Sequence, residues 1–245
     1  MLDEDHIIRV IDFETTGVEP DAHPVEIAAV DYTAGGGFRI VGTTLIKPPV
    51  PIPPGASAIH HITDADVAKA QKLDEVLPHY LDVGGGQGVT AFAAHNMKFD
   101  KQFFATPLPL ICTMKSAQTL YPDAPSYTNW GLLYYLKCRT FSPVIAGASH
   151  RAWGDAYVTA NILHAMLTSE WTVDDLIEIT ANPVLLQRMA FGKHRGVDFD
   201  NMPMDYLQWI ARQTDMDEDV KFTAQHQIEK RLAPMLSPRD PLHAM

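Results

Sequence analysis

Ile7-Ile8-Arg9-Val10-Ile11-Asp12-Phe13-Glu14-Thr15-Thr16-Gly17 is an apolar, β-branched run that ends in two carboxylates and a turn. Such residues suit the pleated, half-buried surface of a sheet, so the stretch reads as a first, central strand. Residues two apart in a strand share a face: Asp12 and Glu14 aim together while Phe13 enters the buried side. Two charges in a buried strand are costly unless paired or bound to a cation. Taken alone, an Asp-x-Glu pair reads first as a solvent-facing stripe, so the rest of the chain has to decide. Gly17 would let the backbone turn tightly beside a ligand.

Working outward, Pro24 to Tyr32 and Phe38 to Ile46 continue as two more strands, with Ala34-Gly35-Gly36-Gly37 as the turn between them. Lys47-Pro48-Pro49-Val50-Pro51-Ile52-Pro53-Pro54 lacks the amide hydrogens of a central strand or helix interior and is read as an extended surface connector. Thr63 is placed as the N-cap of a short helix at Asp64-Ala65-Asp66, and Leu73 to Leu81 as a second helix closed by Gly84-Gly85-Gly86. Val89 to Ala94 is a short strand that delivers His95 and Asn96 to its end. Helices are expected near Lys98 to Phe104, Lys115 to Leu120, Trp130 to Lys137 and Ala156 to Leu167. Strands first, then helices interleaved with further strands, imply an α/β domain with a mixed sheet. After about Thr180 the texture changes, so we expect a domain over 1–181 and a small C-terminal module over 182–245.

Composition narrows the class. The chain has 245 residues, 46% hydrophobic and 20% charged, and no apolar run approaches a membrane span, so a globular protein without membrane partners is expected. The start, Met1-Leu2-Asp3-Glu4-Asp5, is acidic where a secretory signal is basic, and only Cys112 and Cys138 are present, which together suggest a reducing cytoplasm. A net charge of -11 argues against extended coating of nucleic acid but allows a small site that grips one strand end. Asp215, Asp217, Glu218 and Asp219 read as solvated surface.

Two further blocks carry chemistry. His95-Asn96-Met97-Lys98-Phe99-Asp100 places a third carboxylate after a strand end, at the start of a helix. His150-Arg151-Ala152-Trp153-Gly154-Asp155 supplies an imidazole and a fourth. On a continuous helix, residues five apart lie about 140° away from each other, so His150 and Asp155 converge only if His150 sits on a loop. The preceding Phe141 to Ser149 is loop-like, and His150 is expected on a mobile segment that swings toward the carboxylates, where a group titrating near neutrality suits proton abstraction. Hard carboxylate ligands of this number are what divalent cations in phosphodiester hydrolysis take.

These three blocks, in this order, resemble the DEDDh exonucleases, DnaQ-type members of the ribonuclease H-like superfamily, over about residues 5 to 170. The histidine subclass is indicated by His150, where the sister subclass has tyrosine. Ile59-His60-His61-Ile62-Thr63 resembles the substrate-cleft region, except that His61 stands where the family often has glycine. Within the family the likeness is to the exodeoxyribonuclease X branch, through Ala58-Ile59-His60, Ile111-Cys112-Thr113-Met114-Lys115, Ser169 to Thr180 and Phe191-Gly192-Lys193-His194-Arg195-Gly196.

The resemblance implies a mixed five-stranded sheet flanked by helices and stepwise 3′–5′ hydrolysis of DNA ends, single-stranded or duplex, in repair or recombination. It implies two Mg²⁺ or Mn²⁺ ions: Asp12, Glu14 and Asp155 would hold one, Asp12 would bridge to the second, and Asp100 would hold the second through water. His150 would be the general base. Thr16, Gly17, Val18, His60, Asn96 and Phe99 would surround the terminal nucleotide, and Glu19 either meets a second strand or is a turn carboxylate. A homodimer is admitted but not required. In the tail, Lys193, His194 and Arg195 contact phosphates or form a structural cap, with Tyr206 and Trp209 as stacking or core residues. The rival readings are a 3′ exoribonuclease trimming RNA ends and a catalytically silent module that holds nucleic-acid ends.

Overall fold

The computed structural model describes residues 7–33, 35–82 and 88–236. Five strands form one mixed sheet: β1 (Ile7–Thr15), β2 (Pro24–Thr33), β3 (Phe38–Leu45), β4 (Val89–Ala94) and β5 (Leu110–Cys112), in the order β3-β2-β1-β4-β5. β1 to β3 run antiparallel, whereas β4 and β5 run parallel to β1 and to each other. Central β1 is buried along its first five residues, and exposure begins at Asp12 and Glu14, so the carboxylates mark the point where the core ends. Sites at the carboxyl ends of parallel strands are the rule in open α/β sheets.

The early helices are α1 (Pro54–His60), α2 (Asp64–Val67), α3 (Leu73–Leu81) and α4 (Met97–Asp100). They are followed by α5 (Thr113–Leu120), α6 (Asn129–Tyr135), α7 (Pro143–Ala146), α8 (Ala152–Leu167), α9 (Val173–Ala181), α10 (Met204–Arg212) and α11 (Glu218–Leu236). α8 is buried on most of its faces and packs across β2 and β1. None of the described helices is long and apolar enough to cross a membrane.

Several local expectations are corrected. The proline-rich connector ends in α1, because Pro54 sits at the first helical position, where its missing N–H costs nothing. α8 starts at Ala152 rather than Ala156, since the Asp155 N–H already bonds the Arg151 carbonyl and adds a turn that contains Asp155. Asp100 is the last residue of one-turn α4, not the start of a longer helix. β5 is a strand of three residues, too short for a pattern to reveal. Asp217 and Asp219 are not mere solvated surface: Asp217 accepts the N–H groups of Asp219 and Val220 at the head of α11, and Asp219 accepts that of Val184. The acidic start, Ala34 and the glycines 84–86 lie outside the described residues.

The chain falls into two compact units, Met1–Ala117 with Asp123–Ala181, and Gln118–Pro122 with Asn182–Met245. The first holds the sheet. The second builds its own core from Met189, Phe199, Met202, Leu207, Ile210, Val220 and Ala224, drawn largely from α10, α11 and the loop before them. Thr223 on α11 pins that loop by accepting the Leu186 N–H at 2.9 Å.

Candidate active site

Asp12 and Glu14 leave the end of β1 on one face, and Asp155 meets them from the first turn of α8. Carboxylate oxygens of the three lie within 4.8 Å of one another. Asp100 is 3% exposed on α4, which packs against β1, and the polar Phe13 backbone offsets part of the burial of its carboxyl. Phe13 itself is buried on the opposite side against Phe103 and Phe104.

The electrostatics are those of a site short of positive charge. Burial, then repulsion from Asp100, Asp155, Glu14 and Glu26, pushes Asp12 well above the usual carboxylate range. Burial, with Asp155 and Glu26 beside it, raises Glu14 to about 8. Asp100 and Asp155 are raised as well, both chiefly by burial. Buried like charges hold on to protons unless a cation replaces them. The donor set is all oxygen and acidic, which suits hard divalent cations.

Asp155 is held by donors on both oxygens. Trp130 Nε1 donates to Oδ1 and the His150 backbone N–H donates to Oδ2 at 3.1 Å, while Asn129 donates to the Asp155 carbonyl. A carboxylate has about four lone-pair directions, so acceptor capacity remains for a cation. His150 is exposed and has φ 57°, and its backbone N–H ties the segment to Asp155.

Glu26 on β2, paired in register with Glu14, explains how that segment is anchored. It is 2% exposed, binds Arg151 through both oxygens, and accepts the Ala152 N–H at 3.0 Å. Arg151 is therefore a strut between α8 and the sheet, not a surface neighbour of His150. Gly154 permits the same approach: a Cβ there would lie 2.6 Å from the Ala148 carbonyl oxygen and 2.8 Å from that of Ala146. Pattern reading missed Glu26, Trp130 and the role of Arg151. Glu26 had a signal, a lone charge in the apolar run Val25 to Val30, which by the argument used for Asp12 required a partner.

The remaining candidates separate into surface and support. Val18 is 80% exposed at the tip of the turn after β1, Asn96 is exposed with φ 66°, and half-buried Phe99 meets Phe103 edge to face. Thr16 is buried and accepts the His23 N–H at 3.0 Å. Gly17 is corrected in its reason: it does not need a left-handed backbone, and a Cβ on it would stand in open space, so the fold itself does not demand glycine there. His60 is corrected in position, being 2% exposed behind the turn. Its Nε2 faces the Thr15 carbonyl and its Nδ1 accepts the Ile62 N–H, so the ring braces the loop instead of offering a surface. His95 is likewise structural: Nε2 meets the Tyr127 carbonyl, Nδ1 meets Thr113, and burial lowers it to about 4. His61 keeps the left-handed backbone, φ 60°, that glycine favours.

Comparison with known proteins agrees with this geometry. The family model described as Exonuclease (RNase_T) matches residues 10–163. Exodeoxyribonuclease 10 of Escherichia coli strain K12 is 36% identical over 231 residues, 91% of this chain and 99% of that protein. The DNA polymerase III subunit epsilon of Aquifex aeolicus strain VF5 is 29% identical over 169 residues, 66% of this chain and 81% of that one. Among solved structures, exonuclease X in complex with 5′ overhanging duplex DNA superposes with a TM-score of 0.60 and 39% identity, covering 71% of this chain and 99% of that one. The five-stranded mixed sheet and its flanking helices are thus those of a ribonuclease H-like nuclease, and the chain belongs to the exonuclease family.

Proposed function

We propose that this exonuclease removes 5′-nucleoside monophosphates stepwise from DNA 3′ ends, single-stranded or duplex. The observation that carries the reading is the cluster of Asp12, Glu14 and Asp155 oxygens within 4.8 Å, with buried Asp100 behind it and the neighbouring Arg151 guanidinium already bound by Glu26. The substrate is supported by relatives: one is named an exodeoxyribonuclease, and the structural neighbour was solved with duplex DNA.

In this reading Asp12, Glu14 and Asp155 would hold one Mg²⁺ or Mn²⁺ ion, and Asp12 with Asp100 would hold a second. Such ions, when bound, stabilise charge on the attacking and departing oxygens. His150 acts as general base and accepts a proton from the attacking water, a role that imidazole fills near neutral pH. The bond from phosphorus to the 3′ oxygen of the penultimate nucleotide breaks, leaving a shortened strand and a 5′-monophosphate. Glu26 and Arg151 set the start of α8 and so the place from which His150 works. Val18 and Phe99 support the terminal base without selecting it, since every base offers a π face. Thr16, Gly17 and Asn96 line the end of the strand, and His60 braces them from behind. Both cysteines are free, in keeping with action in the cytoplasm.

A ladder assay on 5′-labelled single-stranded DNA, blunt duplex and matched RNA, with and without Mg²⁺, tests the proposal. Shortening from the 3′ end of DNA that requires the cation is expected. Equal or faster trimming of RNA overturns the substrate assignment, and cation-independent cleavage overturns the site.

A further inference from the structure

The second unit presents a feature that hydrolysis does not use. Gly192, φ 69°, and Gly196, φ 82°, stand in the left-handed region and bend residues 191–196 into a turn that exposes Lys193 and Arg195. The turn rests on Tyr206: the His194 ring lies 4.3 Å from it, centroid to centroid, and a Cβ on Gly192 would come within 3.9 Å of the Tyr206 hydroxyl. Tyr206 in turn stacks on Trp209, with centroids 5.3 Å apart and planes at 22°.

Sequence spacing explains why this stack faces outward. Tyr206 and Trp209 are three apart on α10 and share one side of it, while Leu207 and Ile210 are fully buried and carry the core. Trp209 is 48% exposed, so the core of the unit closes largely without it. Among the described residues the side chains of Lys193 and Arg195 have no hydrogen-bond or ion-pair partner. Unpaired cations beside an exposed aromatic stack, in a chain of net charge -11, are the two elements of a surface for single strands.

We propose that this ledge binds single-stranded DNA, with Trp209, backed by Tyr206, stacking on a base and Lys193 and Arg195 neutralising phosphates. The inference rests on DNA being the substrate and adds a second point of attachment for the strand. Tethering raises the local concentration of a 3′ end, so long strands gain more than short ones. Stacking is tolerant of base identity, and so is the ledge.

Fluorescence anisotropy of labelled oligothymidylates of about 5 and about 25 nucleotides, on the full chain in EDTA, tests this directly, because capture is then read without hydrolysis. Trp209→Ala is expected to weaken the long strand roughly ten-fold, whereas Trp209→Phe, which keeps a ring, retains most of the affinity. Lys193→Gln with Arg195→Gln should flatten the dependence of log affinity on log salt by about 1.4, at about 0.7 per phosphate contact. The advantage of the long strand over the short should shrink in both. Unchanged long-strand affinity and salt slope in the charge variant, which leaves the core intact, overturns the ledge even if the Trp209 variants fail to fold. Should the unaltered chain bind the long strand through these residues but hydrolyse no DNA, the ledge stands and the proposed activity fails.

Discussion

Strand β1 carries two buried charge clusters of opposite construction. Near its start, Arg9 is 5% exposed and Asp31 wholly buried; the guanidinium reaches both Asp31 oxygens and the carbonyls of Tyr80 and Asp82, and Arg39 adds a second cation. At its end, Asp12, Glu14, Asp155 and Asp100 collect with their negative charge unmet. The first cluster is closed: each charge and most hydrogen-bonding directions are satisfied by the chain. The second is open, because the Arg151 guanidinium beside it is clamped by Glu26. Burial alone therefore does not mark a functional carboxylate. Burial without a partner does, since folding gains nothing from repelled charges and something else must neutralise them.

Substitution at the two ends should have opposite signatures. Asp12→Asn is expected to lower hydrolysis to background while the metal-free protein melts at a higher temperature than the parent, since the cost of protonating one crowded, buried carboxyl is gone. A variant that keeps its cation-dependent activity would break the assignment of the open cluster. At the closed end, Asp31→Asn leaves Arg9 buried without its counter-charge and should destabilise by about 3–5 kcal/mol. Denaturant titration reads that loss, and a stability change below about 1 kcal/mol would show the two ends to be alike.

Proton linkage sharpens the contrast. Glu14, raised from 4.5 to about 8, holds its proton more tightly when folded, so its contribution to stability is complete below the unfolded value and is lost as pH rises toward 8. Buried His95, lowered from 6.5 to about 4, works in the opposite sense up to about 6.5. The window between 6.5 and 8 therefore isolates the open cluster. Across it the metal-free protein should lose about 2 kcal/mol for one proton released, or roughly 4–8 °C in melting temperature. Mg²⁺ at about 100 times its Kd should add about 2.7 kcal/mol, more at the alkaline end, because ligands must be deprotonated to bind. Melting curves in EDTA that stay flat over this window would place the unmet charge elsewhere.

The smallest expected effect lies away from both clusters. His61 is a non-glycine residue at φ 60°, and its side chain is exposed. His61→Gly should relieve about 1 kcal/mol of backbone strain, partly offset by the entropy of a freer unfolded chain. A small rise in melting temperature with unaltered activity is the outcome; a loss would mean that the imidazole makes a contact of its own.

Much of this is legible in the sequence. The β-branched run into Asp12 and Glu14 and the strand end before Asn96 identify elements by local chemistry: which side chains tolerate a pleat and which spacing can share a face; the segment Phe141 to Ser149, read as loop, instead holds the one-turn α7, opened by Pro143. The start of α8 was misread because Arg151, Ala152 and Trp153 carry no cap signal, and the turn is fixed instead by Glu26, far away in sequence, accepting the Ala152 N–H. The family resemblance places His60 beside the terminal nucleotide, and only packing shows both of its nitrogens committed to the backbone.

The order of residues alone determined that four carboxylates and a histidine exist at spacings that strands, turns and one helix can present, and that the chain is an α/β protein with a distinct C-terminal segment. Tertiary structure decided which charges are answered and which are not. Compensation depends on partners such as Asp31 for Arg9 and Glu26 for Arg151, 22 and 125 positions apart, brought together by sheet register and the packing of α8, and no local pattern encodes that. A Coulomb interaction falls with distance in space, not with distance along the chain, so the open end of β1 is visible only once the chain has folded.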